Sequence, residues 1–199
     1  MAEQYSIQAE TLMKAAVEDY NEELKSIKAS DANENILKAI RINIQGKPRR
    51  LVDIADLKKT ENKNKCQLLV FNTDHIELLT VQIEEIGFTY DIEGQFVNID
   101  VPDPSYKQLM EVVDILNRKK NSALSRLTKA KSEATTRART AVENEFITQA
   151  IATAASKKCD FHYDENSEKI ETMTMDKTKS ILGEEFFNKY KTEELDPFQ

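Results

Sequence analysis

The chain has 199 residues, of which 40% are hydrophobic and 32% are charged. This composition is typical of one or two small folded domains and excludes a disordered chain. A net charge of −7 argues against a protein that binds nucleic acid through a uniformly basic surface. The sequence also lacks an apolar run near the roughly 20 residues that a membrane helix needs, so we expect no membrane association.

Compartment is indicated only by the cysteines and the N-terminus. Cys66 and Cys159 lie far apart in the sequence, as is usual in a reducing environment. The N-terminus has neither a secretory nor a transit-peptide pattern. We expect a soluble protein of the cytoplasm, or of the mitochondrial or plastid matrix if the source is eukaryotic and a targeting segment has been removed.

The first predicted element is a helix over residues 3–29. Its apolar residues recur at intervals of three and four, with charged residues between them: Met13, Val17, Tyr20, Leu24 and Ile27. The short polar stretch 29–33 predicts a turn that ends this helix.

Residues 36–103 predict a compact α/β unit. Isoleucines alternate with polar residues over 40–45, which is the pattern of a half-buried strand. We expect a turn at Gly46–Pro48, then a short apolar element, a strand, a helix and a third strand at 51–57, 66–71, 74–86 and 97–101. Asp74 is expected to cap the helix at its start, and Gly87 to end it.

The helical period returns at Ser105. Its apolar stripe is Leu109, Val113, Leu116, Ala123, Leu127, Ala130, Ala134, Ala138 and Ala141, extended by Phe146, Ile147, Ala150, Ile151 and Ala154. Since neither Gly nor Pro interrupts 105–158, we predict one helix over that range, ending at Lys157–Asp160. A loop containing Phe161–Tyr163 and a last helix over 164–194 are expected to follow.

The order of elements predicts an α+β fold with two domains. Residues 1–30 and 105–199 form an elongated three-helix bundle, because each helix needs the others to bury its apolar stripe. Residues 31–104 form an inserted small β/α/β domain. A two-strand hinge joins them at Ser30, Asp31, Asp103 and Pro104.

Basic residues are concentrated in the long helix. Residues 115–141 contain a single acid, Glu133, and eight bases: Arg118, Lys119, Lys120, Arg126, Lys129, Lys131, Arg137 and Arg139. At about 100° per residue, Lys119, Arg126 and Arg137 share one flank of the apolar stripe, and Arg118 and Lys129 share the outward face.

This concentration of cations has two interpretations. A ridge of cations without carboxylates suits a phosphate backbone and would bind RNA by shape rather than by base sequence. The alternative is an ordinary solvated helix face, which charge runs more often form. The candidate RNA-binding residues are Arg118, Lys119, Arg126, Lys129, Lys131 and Arg137.

The sequence shows no enzyme motif. Asp74–His75 is half of an acid–base pair with no accompanying nucleophile, and no phosphate-binding loop or zinc spacing is present. We therefore expect no catalytic residue, no metal site and no cofactor.

Local motifs, taken in order, resemble the ribosome recycling factor family over nearly the whole chain. They are Ile40–Pro48, Leu51–Ala55, Leu68–Phe71, Ile86–Phe88, Val97–Pro102 and, in the long helix, Thr128–Ala134. The resemblance implies a three-helix bundle with a hinged β/α/β domain. It also implies a monomer that binds large-subunit ribosomal RNA at the subunit interface after termination, and that separates the subunits with an elongation factor G-type GTPase.

The sequence departs from the family pattern at two places. Asp31–Glu34 stands where the family's first hinge has a basic Arg-Ala-Ser-Pro-like motif, and Thr128, Lys131 and Ser132 stand at preferred arginines. Lysine keeps the charge of arginine but not its two-pronged contact with phosphate. A paralogue that kept the fold as a structural or interaction subunit therefore remains an alternative, as does a helical adaptor with no RNA role.

Overall fold

A computed structural model describes residues 2–60, 62 and 64–195. In chain order the elements are α1 (Ala2–Ser26), α2 (Asp31–Lys38), β1 (Arg41–Ile44), β2 (Lys47–Arg50), α3 (Leu51–Ile54), β3 (Ala55–Lys59), β4 (Lys65–Val70), a 3-10 turn (Thr73–His75), α4 (Ile76–Glu85), β5 (Thr89–Glu93), β6 (Phe96–Asp100), α5 (Tyr106–Glu143) and α6 (Gln149–Leu195). None of the described helices is long and apolar enough to cross a membrane.

The chain divides into two compact units. One combines Met1–Lys28 with Val112–Gln199 and is helical, and the other is Ala29–Glu111 and contains every described strand. The predicted α+β class, with a helical bundle and a small sheet-containing domain, is confirmed. The predicted domain borders at 30/31 and 104/105 stay predictions.

The bundle packs along the stripes that the helical period predicts. Met13 and Tyr20 of α1 are almost completely buried, and so is Ile170 of α6. All nine α5 residues of the predicted stripe are buried: Leu109, Val113, Leu116, Ala123, Leu127, Ala130, Ala134, Ala138 and Ala141. A continuous apolar stripe on each helix explains why the three pack together rather than standing alone.

The prediction of one helix over 105–158 is wrong, because α5 ends at Glu143. The amide of Phe146 donates to the Ala141 carbonyl at 2.9 Å, and the amide of Glu145 donates to the Val142 carbonyl at 2.9 Å. This is the Schellman arrangement, in which one residue adopts a left-handed conformation just past the helix. Glu145 takes that position with φ 60°. Glycine usually occupies this position, so a glutamate there does not signal the break.

The position of this break corrects the predictions that follow it. Lys157–Asp160 and Phe161–Tyr163 lie inside α6 rather than at a helix end and in a loop. Phe146 is 75% exposed instead of extending the stripe, and buried Ile147 begins the packing of the next helix. Within α6, Gly183 interrupts the helical backbone with φ 74°.

The second unit is built on a four-stranded antiparallel sheet of order β3-β4-β6-β5. Leu68 and Val97 lie opposite each other on its inner face and are completely buried, together with Leu79 and Ile83 of α4. The predicted strands at 66–71 and 97–101 correspond to β4 and β6. The sequence pattern does not predict β5, because its mostly exposed residues, Thr89–Glu93, show no clear apolar alternation.

Residues 29–38 hold more structure than the predicted turn at 29–33. Only 29–30 form a turn, and α2 begins at Asp31 because its apolar face packs into the core of this unit through Leu37. Buried Asn33 donates its side-chain amide to the Pro102 carbonyl at 3.2 Å. The two chain crossings of this unit are therefore tied to each other.

The predicted hinge residues all lie in the sheet-containing unit. Ser30 precedes α2, and the Asp31 carboxylate accepts a hydrogen bond from Lys59 at 3.0 Å. The Asp103 carboxylate accepts one from the Asn64 side chain at 2.9 Å, and Pro104 follows it. Movement about these residues stays a prediction.

Two local predictions in the same unit are wrong. Lys47 and Pro48 belong to β2 rather than to a turn, because the reversal takes place one residue earlier, at Gln45–Gly46, where both φ angles are positive. Asp74 does not cap α4 with its side chain. Its own backbone amide is instead capped by the Asn72 side chain at 3.0 Å, which starts the 3-10 turn before α4.

Candidate nucleic-acid interface

The eight cations of residues 115–141 in α5 form three rows along the bundle. The first, the α1 flank, comprises Lys119, Arg126 and Arg137. Lys119 Nζ lies 3.2 Å from Glu23 Oε2, and Arg126 Nη2 lies 2.8 Å from Asp19 Oδ2. Arg137 donates to the side-chain carbonyl of Gln8, also on α1. The structure thus places these three residues on one side of α5, as their spacing predicts.

The second row, the α6 flank, comprises Lys120 and Lys131. Lys120 Nζ lies 3.4 Å from Glu171 Oε2, and Lys131 Nζ lies 2.6 Å from Asp160 Oδ1. Lys131 also sits 5.0 Å from the centre of the Tyr163 ring. The hydrogen bond that Lys131 donates to the Asp160 carboxylate raises the pKa of Lys131, so this residue stays charged. Both lysines join α5 to α6.

The third row, the outward row, comprises Arg118, Lys129 and Arg139. The Lys129 side chain is 78% exposed, and its only ion pair among the described residues is with Glu133 of the same helix, at 4.0 Å. Arg139 is 74% exposed, 3.9 Å from Glu143. Exposed Arg118 makes no ion pair with a described residue. This row is therefore the part of α5 that is least neutralised by the protein itself.

The structure corrects the prediction that the ridge has no carboxylates. The count of residues 115–141 included only the acids of that segment, whereas α1 and α6 bring Asp19, Glu23, Asp160 and Glu171 alongside. Exposed ion pairs of this kind contribute about 0–1 kcal/mol each. A phosphate group can therefore replace such a carboxylate at little cost to the bundle.

A shallow groove runs beside the cations between α1 and α5. It has a volume of about 250 Å³ and is lined by Leu12, Arg126, Lys129, Ala130 and Glu133. Two cations and one carboxylate therefore line this open groove, together with the small side chain of Ala130.

The candidate residues from the sequence are thus distributed over all three rows. Lys119, Arg126 and Arg137 lie on the α1 flank, Lys131 on the α6 flank, and Arg118 and Lys129 in the outward row. Arg139 was left out of the candidate set although it belongs to the outward row. Arg139 is highly exposed because it lies on the side of α5 opposite the apolar stripe. The helical period alone predicts this position.

The comparison with known proteins connects this fold and surface to one family. The sequence model of the ribosome recycling factor family matches residues 20–182. The chain belongs to the ribosome recycling factor family. Its fold agrees with that assignment, because the solution structure of a ribosome recycling factor superimposes with a TM-score of 0.52 at 21% identity, covering 92% of this chain and 98% of the other.

Individual members of the recycling factor family are only distantly similar. The ribosome-recycling factor of Chlamydia caviae is 26% identical over 118 residues, which are 57% of this chain and 64% of that protein. The chain thus spans just under two thirds of that relative's length. The factor of a Geobacillus species is 20% identical over 187 residues, covering 92% of this chain and 99% of the relative.

The divergence from the recycling factor pattern is visible on α5 itself. Thr128 and Ser132, which the sequence resemblance places where arginines are expected, are exposed on the same side of α5 as the outward row. The Thr128 hydroxyl donates to the Leu124 carbonyl at 3.1 Å and so serves its own helix. Lys129 lies between these two positions, which keeps positive charge on this stretch of the surface.

Proposed function

We propose that this protein is a ribosome recycling factor. In this proposal it binds large-subunit ribosomal RNA at the subunit interface and, together with an elongation factor G-type GTPase, separates the subunits after termination. The observation that carries the proposal is the outward row of α5, which presents cations on the bundle of a recycling factor fold. Its phosphate contacts position the protein without reading base sequence.

The three rows have different parts in this proposal. Arg118, Lys129 and Arg139 bind phosphates directly, because no carboxylate from another helix competes for them. Flank residues such as Arg126 exchange an exposed carboxylate for a phosphate, and the net gain is smaller. Nucleotide hydrolysis belongs to the GTPase, so the chain supplies binding and leverage and no catalytic group.

A second candidate function is a paralogue retained as a structural or interaction subunit. This candidate is favoured by Asp31 and Glu34, which stand where the resemblance implies a basic hinge motif. Both acids form ion pairs within the sheet-containing unit. Lys59 Nζ lies 3.0 Å from Asp31 Oδ1 and 2.7 Å from Glu34 Oε2. The hydrogen bond that Lys59 donates to the Glu34 carboxylate raises the pKa of Lys59. These ion pairs connect α2 with β3 and occupy Lys59 with carboxylates of its own unit, so this stretch presents acidic residues where the family pattern has basic ones.

The test is to measure binding and splitting with purified ribosomes from the same source. We expect the protein to sediment with large subunits at low salt and to dissociate as salt rises, because each phosphate contact releases counterions. We expect free subunits to accumulate only when this protein, the GTPase and GTP are all present.

Each component alone is the control. Binding with no splitting, or no binding at low salt, would refute the recycling function. In that case the paralogue becomes the better interpretation, and affinity purification should recover a stoichiometric non-ribosomal partner.

A further inference from the structure

Charge is segregated within the sheet-containing unit. Residues 35–52 contain five cations and no acid, whereas residues 66–106 contain eight acids and neither Lys nor Arg. Four of the five cations belong to the hairpin formed by β1 and β2, residues 41–50, which we call the basic hairpin. They are Arg41, Lys47, Arg49 and Arg50. A concentration of one sign this strong within a small unit creates a local field for an anionic partner.

The basic hairpin is a well-defined platform. Its two-residue loop, Gln45–Gly46, has φ 52° and 75°, the positive values of a type I′ turn. Ile42 is 3% exposed and packs into the core of the unit, so it anchors the hairpin. All four residues of β2 are exposed, and Lys47 and Arg49 point to the same side because they are two residues apart on a strand.

Two of the four cations have roles inside the protein. Arg41 Nη1 donates to the carbonyls of Lys38, Ala39 and Ile40 at 3.2–3.4 Å, where it covers the C-terminal end of α2. Arg50 lies 3.5 Å from Asp53, and its backbone amide hydrogen bonds to that carboxylate. These contacts lower the pKa of Asp53.

The other two cations have no such role. Lys47 and Arg49 make no ion pair with any residue that the structure describes. The structure explains Arg41 and Arg50 through local contacts, whereas Lys47 and Arg49 lie at exposed positions on one side of β2.

We infer that the basic hairpin is a second phosphate-binding surface, which contacts the backbone of ribosomal RNA through Lys47 and Arg49. This inference rests on the proposed function, because ribosomal RNA is the anionic polymer that a recycling factor meets. Arg49 can hold a phosphate with two parallel hydrogen bonds, and Lys47 contributes a point charge beside it. No residue of β2 is a large hydrophobic, so this strand lacks the apolar centre that protein interfaces use.

The experiment compares the double variant Lys47→Gln with Arg49→Gln against the unaltered protein. Affinity for purified ribosomal subunits is measured by sedimentation over a range of salt concentrations. Each lost phosphate contact lowers the slope of log affinity against log salt by about one, so we expect a decrease of about two. The variant should also lose about tenfold in affinity or more at moderate salt.

Lys58→Gln with Lys65→Gln is the matched control. It removes the same charge from the outer face of the sheet in the same unit, and we expect its slope to equal that of the unaltered protein. Circular dichroism melting verifies that both double variants fold, since exposed neutral substitutions change stability by about 0.5 kcal/mol or less.

Three outcomes would overturn the inference. A hairpin variant with an unchanged slope and affinity refutes it while leaving the proposed function intact. Weaker binding with an unchanged slope indicates a ribosomal protein as the partner instead of RNA. If the unaltered protein fails to bind ribosomes at all, the proposed function falls and this inference falls with it.

Discussion

Removing two of the three cations of the outward row gives the most direct test of how α5 works. We consider the double variant Arg118→Gln with Lys129→Gln. Arg118 makes no ion pair among the described residues, and Lys129 lies 4.0 Å from Glu133 while 78% exposed. The loss of these groups should therefore change the free energy of unfolding by less than about 0.5 kcal/mol. A change in ribosome binding can then be attributed to the surface and not to the fold.

The expected loss of binding follows from counterion release. Two phosphate contacts contribute about two to the slope of log affinity against log salt, which is about a tenfold change in affinity between roughly 50 and 200 mM salt. In a sedimentation series with large subunits, the slope measured for the variant should therefore be lower by about two than the slope for the unaltered protein. Lys157→Gln with Lys179→Gln removes equal charge from exposed positions on α6 and should leave the slope unchanged. Equal slopes for both variants and the unaltered protein would refute the RNA-binding assignment of α5.

Three further predictions concern the flanks and the bundle. Asp19→Asn with Glu23→Gln removes the carboxylates that compete with phosphate for the cations of the α1 flank, so ribosome affinity should rise by several fold in the same sedimentation series. A lower affinity would contradict the proposal that a phosphate replaces these carboxylates. Tyr20 donates to Thr174 at 2.5 Å, because the Thr174 hydroxyl already donates to the Ile170 carbonyl. Tyr20→Phe should therefore lower the free energy of unfolding by about 1 kcal/mol, and Thr174→Val by about 1–3 kcal/mol because it leaves the buried Tyr20 hydroxyl without an acceptor. Urea unfolding measures both values, and a larger loss for Tyr20→Phe would refute this direction of the hydrogen bond. Burial raises the pKa of Tyr20, so its contribution to folding stability is complete below the unfolded pKa near pH 10 and is lost as the pH rises through the folded pKa. Tyr20→Phe should remove this dependence of stability on pH. Glu145→Gly relieves a left-handed conformation that costs about 1–2 kcal/mol for a residue with a side chain, while the greater freedom of glycine in the unfolded chain offsets roughly 0.5–1 kcal/mol of this gain. The melting temperature should therefore rise by about 1–4 °C; a lower melting temperature would show that the Glu145 side chain matters more than its backbone.

The helical period predicted the bundle well because its signal is local. The nine stripe residues of α5 follow a period of 3.6 and are all buried, and the eight from Val113 to Ala141 belong to the helical unit. The break after Glu143 could not be predicted in the same way. Glu145 adopts a conformation that favours glycine, and the hydrogen bonds to Ala141 and Val142 that hold it there have no sequence signature.

The candidate site was predicted in part for a related reason. Spacing along one helix gives the rows to which Lys119, Arg126 and Arg137 belong. It does not give their partners, since Glu23 lies 96 residues from Lys119 and Asp19 lies 107 residues from Arg126. Pairs this distant in sequence depend on how the helices pack, which a residue count within one segment does not include.

These cross-helix pairs change how the surface of α5 should be understood. A count of charges treats the eight cations as equivalent, but the structure divides them by the carboxylates that reach them. Where a carboxylate from α1 or α6 is present, binding a phosphate means giving up an existing contact, so the free energy gained is a difference between two similar interactions. Where none reaches, as at Arg118, the whole interaction with phosphate is gained. Affinity for RNA should therefore depend most on the row that faces away from the bundle, while the flank cations act mainly in holding α5 between its two neighbours.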